Sequence, residues 1–569
     1  MKIIGINHDM YISSAALIID GKIVSAIAEE RLTREKMTRS FPHNAIRYCL
    51  KKANLSLNQI DYIANSYNPS VHFKKFHPIF SNYRRFRGDY FYSIPDHLIN
   101  KISTDNSESE YTKQEIQLSK NKLKVFYINH HLSHAANGFY LSPFKKSAVL
   151  TADGAGEDDT VNFLLGENNN LTLLNRIKIP HSTGSFYSTF TEYLGYKPEN
   201  DEWKVMALSS YGSKKNKFYK LIKKMVSFNN DGTFNLDQNY FKQNIFILPN
   251  LYTEKFLKAL GPARKKGEKF TQRHYEIASA MQEIFEEIMF HMLKNLYTRT
   301  KSQNVVLSGG SFMNSVLNGK VRDNTPFKNV WISSCPDDSG QSIGSALYLY
   351  NNILKNKKRY ELKHNFFGPS YKNDEIKSVL NKFKINYTYD KNISKIISNH
   401  IAKGKLIGWF QGAMEFGQRS LGNRSIVADP RYNISKEKVN SAVKYRESYR
   451  PFAPSVLKEE CSNYFEMKKN DEIQFMEKVV RVRKDKKHLI KAVVHKDLSA
   501  RVQTVDKVSN PKFYDLIKEF KNLTGIPCLL NTSFNVNGEP IVCSPEDAIK
   551  TFYSCGLDIL VMGNYIVQK

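Results

Sequence analysis

Long apolar runs are missing from the 569-residue sequence: none approaches the ~20 residues that cross a bilayer, so no membrane span is expected. Cysteine is sparse. The six (Cys49, Cys335, Cys461, Cys528, Cys543, Cys555) form no CxxC pair and no disulfide-framework spacing, which points to reduced thiols in a cytoplasmic protein. The N-terminus, MKIIGINHDMYISS, lacks the apolar core of a signal peptide, because Asn7, His8 and Asp9 interrupt it. Acidic residues are in deficit: 84 Lys+Arg against 55 Asp+Glu leave a formal charge of +29. The lysines are dispersed, as in Ser213–Lys217 and Arg481–Lys487, without an interleaved aromatic RNA-binding signature. The surplus therefore reads as solvated surface, and nucleic acid is not the expected partner. With 41% hydrophobic and 12% aromatic residues, the chain can bury sizeable cores, which excludes wholesale disorder.

The order of elements suggests a duplication. Lys2–Ile6, Ser14–Ile19 and Ile23–Ala28 read as strands, the last two joined by an Asp20-Gly21 hairpin turn. The same order returns at Ala148–Thr151, Val161–Leu165 and Leu171–Ile177, with a polar or glycine turn after the first strand each time. This predicts a duplicated α/β unit whose two turns face one cleft. Phe41–Leu50 and Glu115–Lys120 read as helical pieces, and Lys124–Ile128 as a strand. Glu276–Tyr297 reads as a long helix with apolar residues at helical spacing. Lys355–Phe367 is charged, with little apolar pattern, and ends in Gly368-Pro369, a linker signal. Two α/β domains follow, 1–360 and a smaller 361–569.

Within the first, Asn129-His130-His131-Leu132-Ser133-His134 places His130 and His134 four apart. On a helix they project from one face and can chelate one metal. Carboxylates stand at strand ends elsewhere: Asp153 after Ala148–Ala152, and Asp337-Asp338 after Val330–Ser334. Two histidines with two aspartates make a mixed N/O site that suits Fe(II) or Zn better than Mg. Gly154 and Gly156, and Gly309 and Gly310 before a helix opening near Asn314, could let backbone N–H groups approach phosphates.

In the second domain, GWFQGAMEFGQRSLGNRSIVADP (408–430) sets Arg419 and Arg424 among Gly412, Gly417 and Gly422, a poor helix and a good anion-binding loop. Lys444, Arg446 and Arg450 crowd into seven residues, interleaved with Tyr445, Tyr449, Phe452 and two prolines. Buried cations need anions, and phosphate oxygens would serve. Arg501 adds another cation beside a strand, and PCLLNTSFN ends a strand in Asn531, Thr532, Ser533 and Asn535.

Taken in order, Gly5–Asp9, Glu29–Arg34 with Lys36, His130–Ala135, Asp153–Glu157, Glu202–Leu208, Gly309–Asn314, Gly408–Pro454 and Pro527–Pro545 resemble the NodU/CmcH-type O-carbamoyltransferases. The first domain also resembles the metal subunit of the tRNA threonylcarbamoyladenosine machinery. Two departures stand out, Trp203 where the family often has Gly and Gln418 where it commonly has Pro. The resemblance implies a duplicated actin-like (ASKHA) domain that transfers the carbamoyl group, followed by a YrdC-like α/β domain that forms carbamoyl adenylate and pyrophosphate from ATP and carbamoyl phosphate. It implies His130, His134, Asp153 and Asp338 as ligands of a divalent metal, Fe(II) first with Zn or Mn as alternatives, and Mg accompanying ATP. Arg419, Lys444, Arg450 and Arg501 would neutralise phosphates, with Asn531 and Ser533 positioning the reacting group. Lys36 would reach the nucleotide phosphates, and His8 would act as general base or orient the acceptor. That acceptor would be a hydroxyl of a small molecule or saccharide, and a homodimer is compatible. The competing expectations are an RNA-modifying enzyme and a non-catalytic actin-like nucleotide-binding protein.

Overall fold

A computed structural model describes residues 1–8, 11–68, 110–118, 122–242, 251–447, 449–469 and 471–569. Contacts divide them into two units: Met1–Ala26 with Arg39–Leu362, and Ile27–Thr38 with Lys363–Lys569. The division expected at 360 thus differs in one respect. A twelve-residue N-terminal stretch belongs to the second unit. Buried Arg31 donates to Gly417 O at 2.9 Å, and Arg34 donates to the Pro540 and Ile541 carbonyls at 2.8 and 2.7 Å. Among the described residues no helix is long and apolar enough to cross a membrane.

The first unit holds two sheets of matching design. Its first six strands are β1 (Lys2–Asn7), β2 (Ser14–Ile19), β3 (Lys22–Ala28), β4 (Tyr62–Asn65), β5 (Tyr111–Gln117) and β6 (Lys122–Ile128), in the order β3-β2-β1-β4-β6-β5. β1 runs antiparallel to β2 and parallel to β4, and β4 runs parallel to β6. The next strands are β7 (Lys146–Ala152), β8 (Asp159–Glu167) and β9 (Asn170–Lys178). A small pair follows, β10 (Val226–Phe228) and β11 (Phe234–Leu236), then β12 (Asn304–Ser308) and β13 (Asn329–Ile332). The second sheet has the order β13-β12-β7-β8-β9. β7 is antiparallel to β8 and parallel to β12, which is parallel to β13. A hairpin trio extended on one side by parallel strands, built twice in one chain, is the duplicated actin-like arrangement.

One element departs from expectation. Glu115–Lys120 was expected to be helical; Glu115, Ile116 and Gln117 lie in β5, an edge strand antiparallel to β6 from Tyr111↔Ile128 to Gln117↔Lys122. Pairing to an existing edge overrides weak local helix propensity. Residues 119–120 lie outside the described residues.

Two helices carry the interior of this unit. His130–Phe139 is buried along its whole length, and Gln341–Leu347 packs against it and against β1 and β2. Glycine permits both contacts: a Cβ on Gly344 would stand 1.9 Å from Ser133 O, and one on Gly5 would stand 1.7 Å from Ser342 O.

The second unit contains β14 (Thr388–Tyr389), β15 (Ile407–Phe410), β16 (Arg424–Ala428), β17 (Ala453–Leu457), β18 (Val479–Arg481), β19 (Ser499–Arg501), β20 (Gln503–Val505), β21 (Cys528–Ser533), β22 (Ile559–Met562) and β23 (Tyr565–Gln568). Eight of these form one mixed sheet, β14-β23-β22-β15-β16-β21-β17-β20, and β18 pairs with β19. Trp409, Phe513, Phe520 and Leu529 lie in its core. This mixed α/β architecture fits the expected smaller YrdC-like domain.

Candidate active site

In the first unit, chain reversals after three strands deliver the polar groups. His130 opens its helix directly after β6, Asp153 follows β7, and Asp338 lies beyond β13. One ligand atom from each of His130, His134, Asp153 and Asp338 lies within 4.8 Å of all the others. His134 Nε2 is 2.7 Å from Asp153 Oδ2 and 3.3 Å from Asp338 Oδ1; His130 Nε2 is 3.7 and 3.5 Å from the same oxygens. Both imidazoles are fully buried, Asp338 is nearly so, and Asp153 is part-buried. Burial pushes the Asp153 carboxyl up, but His130 and His134 outweigh it and hold the group well below the usual carboxylate range. Burial also lowers His134, yet hydrogen bonds to Asp153 and Asp338 win and raise it to about 9. Two nitrogens and two carboxylate oxygens converging on one point fit a divalent cation.

The neighbours of these residues are committed elsewhere. His131 turns away from the group, with Nδ1 2.8 Å from Thr151 Oγ1 and Nε2 3.0 Å from Asp159 O. Burial holds its imidazole well below the usual histidine range. Asp337 Oδ1 accepts from Ser339 Oγ at 2.7 Å and from Cys335 Sγ at 3.2 Å. Glu157, only part of a longer motif in the sequence, anchors the histidine helix. Its Oε1 accepts from His130 N at 2.9 Å and Asn68 N at 2.7 Å, and burial raises its carboxyl to about 7.

The glycine turns do different work from that expected of phosphate loops. Gly310 N–H donates to Asp153 Oδ2 at 3.1 Å and Gly154 N–H to Asp153 Oδ1 at 2.6 Å, so both serve an internal carboxylate. Gly309, at φ 102°, lets the turn lie against Ala152, and Gly156 lies against His130. Asn314 caps Ser315–Asn324 by accepting from Leu317 N at 3.0 Å. His8 stands just beyond β1, with Nε2 3.1 Å from Asn65 Nδ2.

The second unit gathers cations. Lys444 is buried, and its Nζ donates to Asn535 Oδ1 at 2.7 Å, Asn535 O at 2.8 Å, Ser533 O at 2.6 Å and Ser533 Oγ at 3.3 Å. Burial, with Arg446, Arg450 and Lys36 behind it, pulls Lys444 well below the usual lysine range. Lys36 therefore belongs to this cluster. Tyr445 takes a left-handed turn (φ 43°) between Lys444 and Arg446 and is itself exposed. Burial, then Arg419, Arg446 and Arg450, hold Arg501 well below the usual arginine range. Arg446 Nε and Arg501 Nε are buried without a hydrogen-bond partner among the described residues. Asn531 Nδ2 donates to Ser455 Oγ at 2.9 Å and to Ser420 O and Gln503 Oε1 at 3.1 Å, a buried network beneath the cluster.

Two expectations change here. Arg424 is fully buried, stacks 3.7 Å from the Phe410 ring centre, and donates to the Gln411, Asn423 and Pro369 carbonyls. Its guanidinium braces the loop rather than an external anion. The glycine-arginine loop also already has an internal anion. Glu415 Oε1 accepts from the N–H groups of Leu421, Asn423 and Arg424 at 2.7, 2.8 and 3.2 Å. The signal for Glu415 was a lone acid among glycines; Asn535 stood two residues past Ser533.

Family models agree with this arrangement: the carbamoyltransferase N-terminus matches residues 2–347, and the carbamoyltransferase C-terminus matches residues 398–569. The chain belongs to the carbamoyltransferase family. Three relatives give the range of this carbamoyltransferase. An uncharacterized protein of Synechocystis is 36% identical, covering 100% of this chain and 96% of its own. Nodulation protein NolNO of Sinorhizobium fredii is 34% identical, covering 99% and 80%. The 3'-hydroxymethylcephem-O-carbamoyltransferase of Streptomyces clavuligerus is 25% identical, covering 75% and 78%.

Proposed function

We propose that this carbamoyltransferase makes an O-carbamoyl ester in two stages, each using one of the two clusters. In the second unit, carbamoyl phosphate, ATP and water yield carbamoyl adenylate, pyrophosphate and phosphate. Both substrates are anions, so charge compensation is the first requirement, and Arg419, Lys444, Arg446, Arg450 and Arg501 supply it. The observation that carries this reading is the crowding of these like charges, with Arg446 Nε and Arg501 Nε buried and without a hydrogen-bond partner among the described residues. A cluster that costs free energy when empty favours phosphate oxygens strongly. Ser533 and Asn535 hold Lys444 Nζ in place within the cluster.

In the first unit, His130, His134, Asp153 and Asp338 would hold a divalent metal, with Fe(II) our assignment. Such an ion supplies Lewis acidity to the carbonyl that the acceptor attacks. Around it, Glu157 fixes the histidine helix, and the Gly154 and Gly310 N–H groups aim Asp153. The acceptor is the hydroxyl of a small molecule; the name of one relative specifies a hydroxymethyl group.

The two stages separate experimentally. With ATP and carbamoyl phosphate, Arg501→Ala should lose pyrophosphate release by ~100-fold or more, as for other preorganised charge-stabilising groups. His130→Ala should retain that release and lose transfer to an alcohol. Equal loss of both half-reactions in both variants would refute the assignment.

A further inference from the structure

The reaction proposed for the second unit consumes a water, and an attacking water must give up a proton. The cations of the cluster are poor acceptors. A guanidinium has no lone pair to offer, and Lys444 Nζ is already spent on four oxygens.

His495 stands differently. It opens the turn before β19, where its N–H donates to Ser499 O at 2.8 Å and Leu498 N–H donates to His495 O at 3.0 Å. Ser499 and Arg501 lie two residues apart in that strand and so share a face. His495 Nδ1 is 3.3 Å from Ser499 Oγ, which puts the imidazole on the face that carries Arg501.

The hydrogen bonds assign the ring proton. Ser499 Oγ donates its one hydrogen to Asp497 Oδ1 at 2.6 Å, and a carboxylate can only accept. Ser499 Oγ must then accept from the ring, so the proton sits on Nδ1 and Nε2 carries a lone pair. Nε2 is buried and has no hydrogen-bond partner among the described residues. Arg501 Nε, on the same face, is equally buried and equally open. An acceptor and a donor left unsatisfied together call for a water or a ligand. Burial holds the imidazole below the usual histidine range; Asp497 opposes this, and Arg501 and Lys436 add to it. The lone pair is therefore free at neutral pH. A bound phosphate dianion offsets the nearby cations and makes the ring more basic when substrate is present.

We infer that His495 Nε2 is the general base for the water consumed in the second unit, an assignment that rests on the phosphate reading of its cationic cluster. The water oxygen bonds to the carbonyl carbon of carbamoyl phosphate while Nε2 takes its proton. The C–O bond to phosphate then breaks, and the imidazolium returns the proton to the departing phosphate. The carbamic acid left behind loses its own proton to solvent. The resulting carbamate attacks the α-phosphorus of ATP and expels pyrophosphate. Cations that neutralise phosphate also make it a better leaving group, which favours attack at carbon. Ser499 and Asp497 are positioning residues that fix the tautomer.

The test follows two releases from the full-length protein. One is phosphate from carbamoyl phosphate; the other is pyrophosphate from ATP with ammonium carbamate, which bypasses the water step. His495→Gln should lose phosphate release by ~100-fold or more, as for a missing general base, and keep carbamate-driven pyrophosphate release within about twofold. His495→Ala, whose phosphate release should recover with added imidazole, replaces the glutamine variant if that one does not fold. Undiminished phosphate release in the folded variant would overturn the base assignment. Equal loss of both releases would also overturn it, because a merely structural histidine behaves that way. Wild type that makes no pyrophosphate from carbamate would overturn the water step. If wild type releases no phosphate, or Arg501→Ala releases it as fast, the phosphate reading of the cluster fails, and the base assignment fails with it.

Discussion

At the scale of single residues, protonation has a measurable consequence at Glu202. Its Oε1 accepts from Ser188 Oγ at 2.6 Å and Glu199 N at 2.7 Å, yet burial raises its carboxyl to about 7. The folded state therefore binds a proton that the unfolded chain has released between about pH 4.5 and 7. Stability contributed by the neutral form is full below that window and is lost as pH rises through it, up to about 3 kcal/mol. Glu202→Gln should flatten this slope and be the more stable protein at pH 8, as measured by urea unfolding at pH 5 and 8. An unchanged slope would exclude a neutral buried Glu202. Glu415 matters through its hydrogen bonds, since its Oε1 accepts from three backbone N–H groups. Glu415→Ala strands those N–H groups and should cost roughly 2–4 kcal/mol. Pyrophosphate release should fall with it, because Arg419 sits on the loop that Glu415 holds.

Elements set the distances within the histidine–aspartate group. The helix Gln341–Leu347 follows directly on Asp338 and carries Gln341, and it can lie against His130–Phe139 only because Gly344 has no side chain. Gly344→Ala should cost about 3 kcal/mol and weaken binding of an added divalent metal, since the methyl group would meet backbone at 1.9 Å. Gly404→Ala is the control, at φ 79° with open space around it, and should cost only about 1 kcal/mol. Equal melting temperatures for the two variants would contradict this packing argument. The sequence made the histidine pair legible through its i, i+4 spacing after a strand, and the repeated strand–turn–hairpin order revealed the doubled sheet. Gln341 and Glu415 were not legible. One reaches His130 only when a second helix packs, and the other looks like an ordinary acid until its loop closes on it. The edge strand β5 was misread for a different reason: its own residues read as helix, and pairing with the next strand, β6, decides otherwise.

At the scale of the whole molecule, the net charge of +29 is distributed unevenly in effect: much of it is solvated, while the cluster around Lys444 and Arg501 is not. The second unit also depends on residues encoded near the start of the chain. Arg31→Met should accelerate hydrogen exchange across Gln411–Arg424, because Gly417 O loses its buried guanidinium donor, at a cost of about 1–3 kcal/mol. Exchange confined to Ile27–Thr38 would show that the donor does not hold the loop.

The same borrowed stretch constrains how such genes can recombine. A single crossover near codon 362 would graft a relative's rear half onto this front, leaving Arg31 and Arg34 to meet a foreign loop path and a foreign side chain where Asp547 now pairs with Arg34. Viable chimeras need a second exchange around codons 27–38, so the two ends of the gene are expected to travel together.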